Sequence, residues 1–177
     1  LVCACCVFGA VRLHQAPFGG QALKVGVVQA NVPQDQKWRP ERTDEVLSKY
    51  LTMSRLALGK GAELVVWPET ACTFYLFRQW PQTMRVLEMS RGSSARFIVG
   101  SPAYDEGRFY NTAYLLRKGR IEGCYDKVHL VPFGEYLPLS RQFRRIFGAL
   151  TAEVGDFREG MDIEPMGERV RVRNRVD

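Results

Sequence analysis

Short apolar runs alternate with amphipathic helical stretches up to about residue 126, and that order restricts the chain to an α/β architecture. Residues 23–29, Leu-Lys-Val-Gly-Val-Val-Gln, read as a buried strand. Residues 41–58 read as a helix in which Val46, Tyr50, Met53 and Ala57 share one face, with Leu47, Leu51 and Leu58 beside them. Pro40 suits its first turn and Gly59 its C-terminal cap. Residues 62–67 form a short strand that stops at Pro68, residues 79–91 a weaker helix, and residues 96–101 a third strand. Residues 109–117 and 120–126 are strands joined by Lys118-Gly119, a two-residue hairpin signal. Three strands connected by helices and then a hairpin predict α/β with mixed strand directions.

The size, 177 residues, suits one domain, and 46% hydrophobic with 25% charged residues excludes a disordered chain. The net charge of +6 raises the question of nucleic acid. The densest basic run, Arg169, Arg171, Arg173 and Arg175, alternates with Val170 and Val172, which is the period of a strand with one solvated face. No zinc spacing, phosphate loop or helix-turn-helix pattern accompanies it, so no nucleic-acid partner is expected. A surface near anionic lipid headgroups suits that charge better. Of the five cysteines, Cys3, Cys5 and Cys6 lie in an apolar run and read as small hydrophobes, and Cys72 and Cys124 form no metal-ligand pair. Neither a metal nor an organic cofactor is expected.

Residues 1–11 carry no charge, and Arg12 ends the run. As a helix the run would reach roughly 16 Å, about half of a ~30 Å hydrocarbon core. We expect residues 1–13 to be the last turns of a membrane helix, 14–22 a linker containing Pro17-Phe18-Gly19-Gly20, and 23–177 a domain that stops inside a strand. A buried N-terminal element is the alternative.

Two positions carry chemistry. Glu69, in Trp67-Pro68-Glu69-Thr70, follows an apolar strand, where α/β proteins gather their sites, and it is a candidate general base. A solvated loop glutamate is the plain alternative. Lys127 ends the strand 120–126, and an ammonium there would stabilise a developing oxyanion. Its alternative is an ordinary surface lysine. Glu135, after Pro132-Phe133-Gly134, is placed to hold that ammonium, or else is a solvated turn residue. Cys72, in a loop after Glu69, is a weak candidate nucleophile, whereas Cys124 is three residues from Lys127 on one strand and so faces the other way. His129 reads as a satisfied core histidine rather than a base. Trp38, Phe74, Tyr75 and Phe77 line an apolar groove or belong to the core, and Asn111 bonds within the site or steadies its strand.

Four segments together resemble the carbon–nitrogen hydrolase (nitrilase) superfamily, within it the membrane-bound branch that acylates lipoproteins. They are Val28-Gln29-Ala30-Asn31-Val32-Pro33-Gln34 with Trp38, Trp67-Pro68-Glu69-Thr70, Tyr110-Asn111-Thr112-Ala113, and Tyr125-Asp126-Lys127-Val128-His129-Leu130-Val131-Pro132-Phe133-Gly134-Glu135-Tyr136-Leu137-Pro138. The resemblance implies an α-β-β-α sandwich with mixed sheets, here partial, and a Glu-Lys-Cys triad. It puts the general base at Glu69, the lysine that stabilises the tetrahedral intermediate at Lys127, and a supporting carboxylate at Glu135. Trp38, Asn111 and Tyr136 fall on the substrate side. The implied reaction moves an acyl chain from a phospholipid, through a cysteine thioester, to the N-terminal amine of a diacylglyceryl-cysteine apolipoprotein at the outer face of a bacterial inner membrane. The family's nucleophile follows the lysine in a Cys-Tyr-Glu context, and no cysteine occurs after Cys124. The nucleophile is therefore expected outside this chain, and no acyl transfer is expected from the chain alone. A soluble amidase of small amides and a non-catalytic remnant are the competing readings.

Overall fold

A computed structural model describes residues 2–15, 21–105, 107–131, 135 and 157–160. Helix α1 (Val2–Gln15) buries none of its side chains. Strands β1 (Val25–Val27), β2 (Leu64–Val66), β3 (Arg96–Asp105), β4 (Arg108–Arg117) and β5 (Arg120–Asp126) lie in sequence order in one five-stranded sheet. β1, β2 and β3 run parallel, whereas β3–β4 and β4–β5 are antiparallel. The expected α/β class with mixed strand directions is observed, and among the described residues the sheet is single. No helix among them is long and apolar enough to cross a membrane.

The parallel pairs need crossovers, and α3 (Thr43–Gly59) and α4 (Trp80–Arg91) supply them. Val46, Leu47, Tyr50, Leu51 and Ser54 form the buried stripe of α3. Both helices pack on the sheet face that carries Val65, Phe97, Val99 and Leu116, all fully buried. Gly26 lies on that face too, where an added Cβ would stand 2.7 Å from the Cβ of Ala57. The opposite face carries Val25 and Val27, which remain 46% and 76% exposed. Side chains alternate between faces along a strand, so the helices cover one face and leave the other to carry chemistry.

Several boundaries shift from expectation. The first strand contracts to three residues because Leu23 and Lys24 lie outside the ladder and Val28 bonds only its end, through its N–H to the Val66 carbonyl (2.9 Å). β3 runs on to Asp105, since its ladder with β4 continues to Arg108. α3 includes Gly59, and the left-handed glycine after it is Gly61, with φ +80°. Lys118 and Gly119 both take positive φ, +51° and +74°, the geometry of a two-residue hairpin turn. The basic tail 169–175 lies outside the described residues.

Candidate functional site

The turn that carries Glu69 is fixed from three directions. Trp67 is buried, stacks on Tyr50 with ring centroids 5.0 Å apart, and donates its indole N–H to Ser54 Oγ at 2.8 Å. This locks the end of β2. Pro68 then prevents the ladder from continuing. Beyond it, the Cys72 N–H bonds the Gly100 carbonyl (3.0 Å), so the chain doubles back against β3. That approach needs a glycine, because a Cβ at position 100 would lie 2.2 Å from the Pro68 oxygen and 2.9 Å from Glu69 Cα. Thr70 closes the turn at φ +46°, a region that β-branched residues rarely occupy.

Lys127 arrives from the far edge of the sheet, at the end of β5. Its N–H donates to the Asn111 carbonyl (2.8 Å), and its own carbonyl accepts from the Gly160 N–H (3.0 Å). By strand parity Gly100, Asn111, Tyr125 and Lys127 share the helix-free face. There the Lys127 ammonium lies 3.0 Å from Glu135 Oε2, 3.1 Å from Glu135 Oε1 and 3.4 Å from Glu69 Oε1. Glu135 also accepts from Asn111 Nδ2 at 3.0 Å and from the Val131 N–H at 2.9 Å. Glu69, Lys127, Glu135 and Asn111 therefore converge on one point, although 66 positions separate the outermost two.

The two carboxylates differ in their surroundings. Glu135 has a side chain only 16% exposed, against 69% for Glu69. Desolvation pulls the Glu135 carboxyl upward, but the Val131 N–H, Lys127 and Asn111 outweigh it and hold the group below the usual carboxylate range. For Lys127, partial desolvation is outweighed by the Glu135 hydrogen bond and the charges of Glu69 and Glu135, which hold the ammonium above its ordinary value. Lys127 is therefore a fixed cation with one permanent counter-ion and one weakly attached neighbour.

Other expected site residues divide. Trp38 is exposed, directly after the short helix α2 (Gln34–Lys37), and Phe74 is buried in the core rather than in a groove. Tyr136 lies outside the described residues. Cys72 is corrected from candidate nucleophile to core residue: it is fully buried, and burial pushes its thiol far up. Cys124 packs against the core cluster on the helix side, as its spacing from Lys127 requires. His129 is exposed, so the expectation of a core histidine is corrected too; it follows β5, beyond the sheet that would have enclosed it. Lys37 was not singled out by sequence, yet its ammonium donates to Thr70 Oγ1 at 2.9 Å, within the electrostatic reach of Glu69. Its position beside Trp38 was the available signal. Among the described residues no group of three or more His, Cys, Asp or Glu side chains is arranged to hold a metal.

Comparison with known proteins bears on fold and family. An apolipoprotein N-acyltransferase of Geobacter metallireducens is 37% identical over 162 residues, covering 88% of this chain and 31% of its own length. One from Methylococcus capsulatus is 36% identical over 144 residues, covering 80% and 28%. The chain thus spans about a third of these relatives. Among solved structures, a mutant of the Nesterenkonia AN1 amidase from the nitrilase superfamily matches with a TM-score of 0.56 at 17% identity, over 81% of this chain and 50% of its own. The family model for carbon–nitrogen hydrolases matches residues 24–170, which takes in every strand and all four converging side chains. The chain belongs to the carbon–nitrogen hydrolase family.

Proposed function

We propose that this chain supplies the base, the oxyanion-stabilising cation and the supporting carboxylate of an apolipoprotein N-acyltransferase. The thiol belongs to the remainder of the protein. One observation carries the reading: a single ammonium is shared unequally by two carboxylates, 3.0 Å from Glu135 and 3.4 Å from Glu69. A saturated, half-buried carboxylate suits a holder, and an exposed, weakly tied one suits a group that must take up and release a proton. The relatives named apolipoprotein N-acyltransferase supply the acceptor class, with residues 1–13 as the membrane-proximal end and 23–177 as the hydrolase-like part.

In the first half-reaction Glu69 takes the thiol proton as sulfur attacks the ester carbonyl of a phospholipid. Lys127 stabilises the oxyanion, the carbon–oxygen ester bond breaks, and Glu69 returns the proton to the departing lysophospholipid alkoxide. In the second, the N-terminal amine of the diacylglyceryl-cysteine attacks the thioester, and Lys127 again faces the oxyanion. The amine proton passes to Glu69 and then to the leaving thiolate. Glu135 keeps Lys127 charged and oriented in both steps, because an ammonium facing only a mobile carboxylate would follow it. Trp38, Asn111 and Tyr136 are assigned to the substrate side, Trp38 by its exposure beside the site. The site would work at the bacterial inner membrane on its periplasmic face, where both lipid-bearing substrates are found.

The test uses the full-length protein with a labelled diacyl phospholipid and reads the thioester directly. Glu69→Gln and Lys127→Met are each expected to reduce its formation by at least about 10²-fold, the usual scale for a general base or oxyanion partner. Near-normal labelling in either variant removes that residue from the mechanism. Turnover of small amides without phospholipid transfer would favour the amidase reading.

A further inference from the structure

Glu69 has a second cation beside it. Lys37 ends α2, and its ammonium donates to Thr70 Oγ1 at 2.9 Å while lying 5.6 Å from the centroid of the neighbouring Trp38 ring. The side chain is half-buried, so the charge has given up part of its hydration. A hydroxyl and a ring face compensate an ammonium weakly, whereas a nearby carboxylate compensates it well. Desolvation lowers the Lys37 ammonium and the charge of Glu69 opposes that effect. The hydrogen bond grips Thr70 in its left-handed conformation, one residue beyond the proposed base.

Counting charge around Glu69 gives the residue its role. Among the described residues Lys127, from the end of β5, pairs with both Glu69 and Glu135, and Lys37 from α2 lies within electrostatic reach of Glu69. With Lys37 present, two ammoniums balance two carboxylates. Without it, both carboxylates share Lys127, and Glu69, bonded at the longer distance, loses most from that competition.

We propose that Lys37 is a positioning residue for Glu69: anchored on Thr70, it fixes the turn that aims the carboxylate at Lys127 and sets a second ammonium next to that turn. This rests on the assignment of Glu69 as the base. Lys37 does not touch the reacting atoms.

The experiment measures thioester formation in the full-length protein against pH, with a labelled phospholipid in mixed micelles. Loss of a neighbouring positive charge makes a carboxylate hold its proton to higher pH. Lys37→Met is therefore expected to move the acid limb of the profile modestly to higher pH, the charge being screened because Glu69 is solvent-exposed. On that limb the rate falls about 3–10-fold. Lys37→Arg keeps the charge and should restore the limb. Thr70→Val keeps the charge but removes the anchor, so it should lower the rate at all pH values without moving the limb. An unmoved limb in a folded Lys37→Met protein, or a limb that Lys37→Arg fails to restore, overturns the proposal. Glu69→Gln separates the two readings. If it still forms thioester, the base assignment is wrong; if it is dead and the Lys37→Met limb does not move, only the role of Lys37 falls.

Discussion

Replacing Gly100 by alanine tests whether the site depends on one close backbone approach. The added methyl would stand 2.2 Å from the Pro68 oxygen, and 2.9 Å from both Glu69 Cα and Thr70 N. Ordinary carbon–oxygen contact is about 3.3–3.6 Å, so the turn must retreat by roughly 1.1–1.4 Å. All three obstructing atoms are backbone, and no rotamer change relieves them. The turn is also tied to β3 by the hydrogen bond between Cys72 N–H and the Gly100 carbonyl, which would stretch as it moves. Overpacking of this kind costs about 1–3 kcal/mol, which for a chain of this size lowers Tm by about 2–12 °C. The retreat carries Glu69 away from Lys127, and misplacement by ~1 Å costs about 10²-fold in rate. Gly123→Ala on β5 is the matched control, since its Cβ would meet nothing within 4 Å. Thermal melts and thioester formation should both single out Gly100→Ala. If Gly100→Ala melts with the wild type and labels at full rate, the turn does not need this contact, and the account of how Glu69 is placed is wrong.

Two further perturbations address Glu135 and Cys72. Glu135→Gln should destabilise the fold by about 1.5–3 kcal/mol at pH 7, the scale for hydrogen bonds to a charged group. Because the folded-state carboxyl is held below its usual range, its contribution is fully present above the unfolded value near 4.3 and is lost as pH falls through the lower folded value. The gap between wild type and variant in urea unfolding should therefore close as pH falls through that range, and a gap of constant size would refute the ionic account. For Cys72, mass spectrometry after brief alkylation at pH 8 should find the exposed Cys3, Cys5 and Cys6 modified and Cys72 slower by about 10²-fold or more, until denaturant is added. Rapid native labelling of Cys72 would contradict its burial.

The order of elements was readable because each has its own signature: the helical stripe from Val46 to Leu51, the proline that ends β2, and the residues Lys118-Gly119 that turn β4 into β5. The Glu69 and Lys127 positions were also visible, as polar residues where apolar strands stop. What stayed hidden is what long-range geometry decides. Nothing local tells that Gly100 makes room for a turn some thirty positions earlier, or that Lys37 reaches Thr70 across a similar gap. Cys72 stayed ambiguous for the same reason. It sits three residues beyond the base in a segment without regular structure, yet that segment folds back beneath β3 and takes the thiol into the core. His129 misled through its apolar neighbours, which continue past the end of the sheet.

Sheet parity joins these observations. A residue on the helix side of this sheet meets Val65, Phe97 and Leu116 and is sealed off, whereas its neighbours one step away meet the other face. Cys124 and Lys127 differ by an odd step, and that step alone separates a packed thiol from a cation with two carboxylates. Gly100, Asn111 and Lys127 fall on the same side of the sheet, so the turn carrying Glu69 can lie over β3 and still face the end of β5. The chemistry then rests on which carboxylate the protein saturates. Glu135 receives two protein donors besides Lys127, and those bonds would have to break before it could accept a proton. Glu69 stays exposed and meets Lys127 at the longer distance of 3.4 Å, so it can turn toward a reacting group. Sequence places both glutamates near the same lysine, and only the hydrogen bonds divide the labour between them.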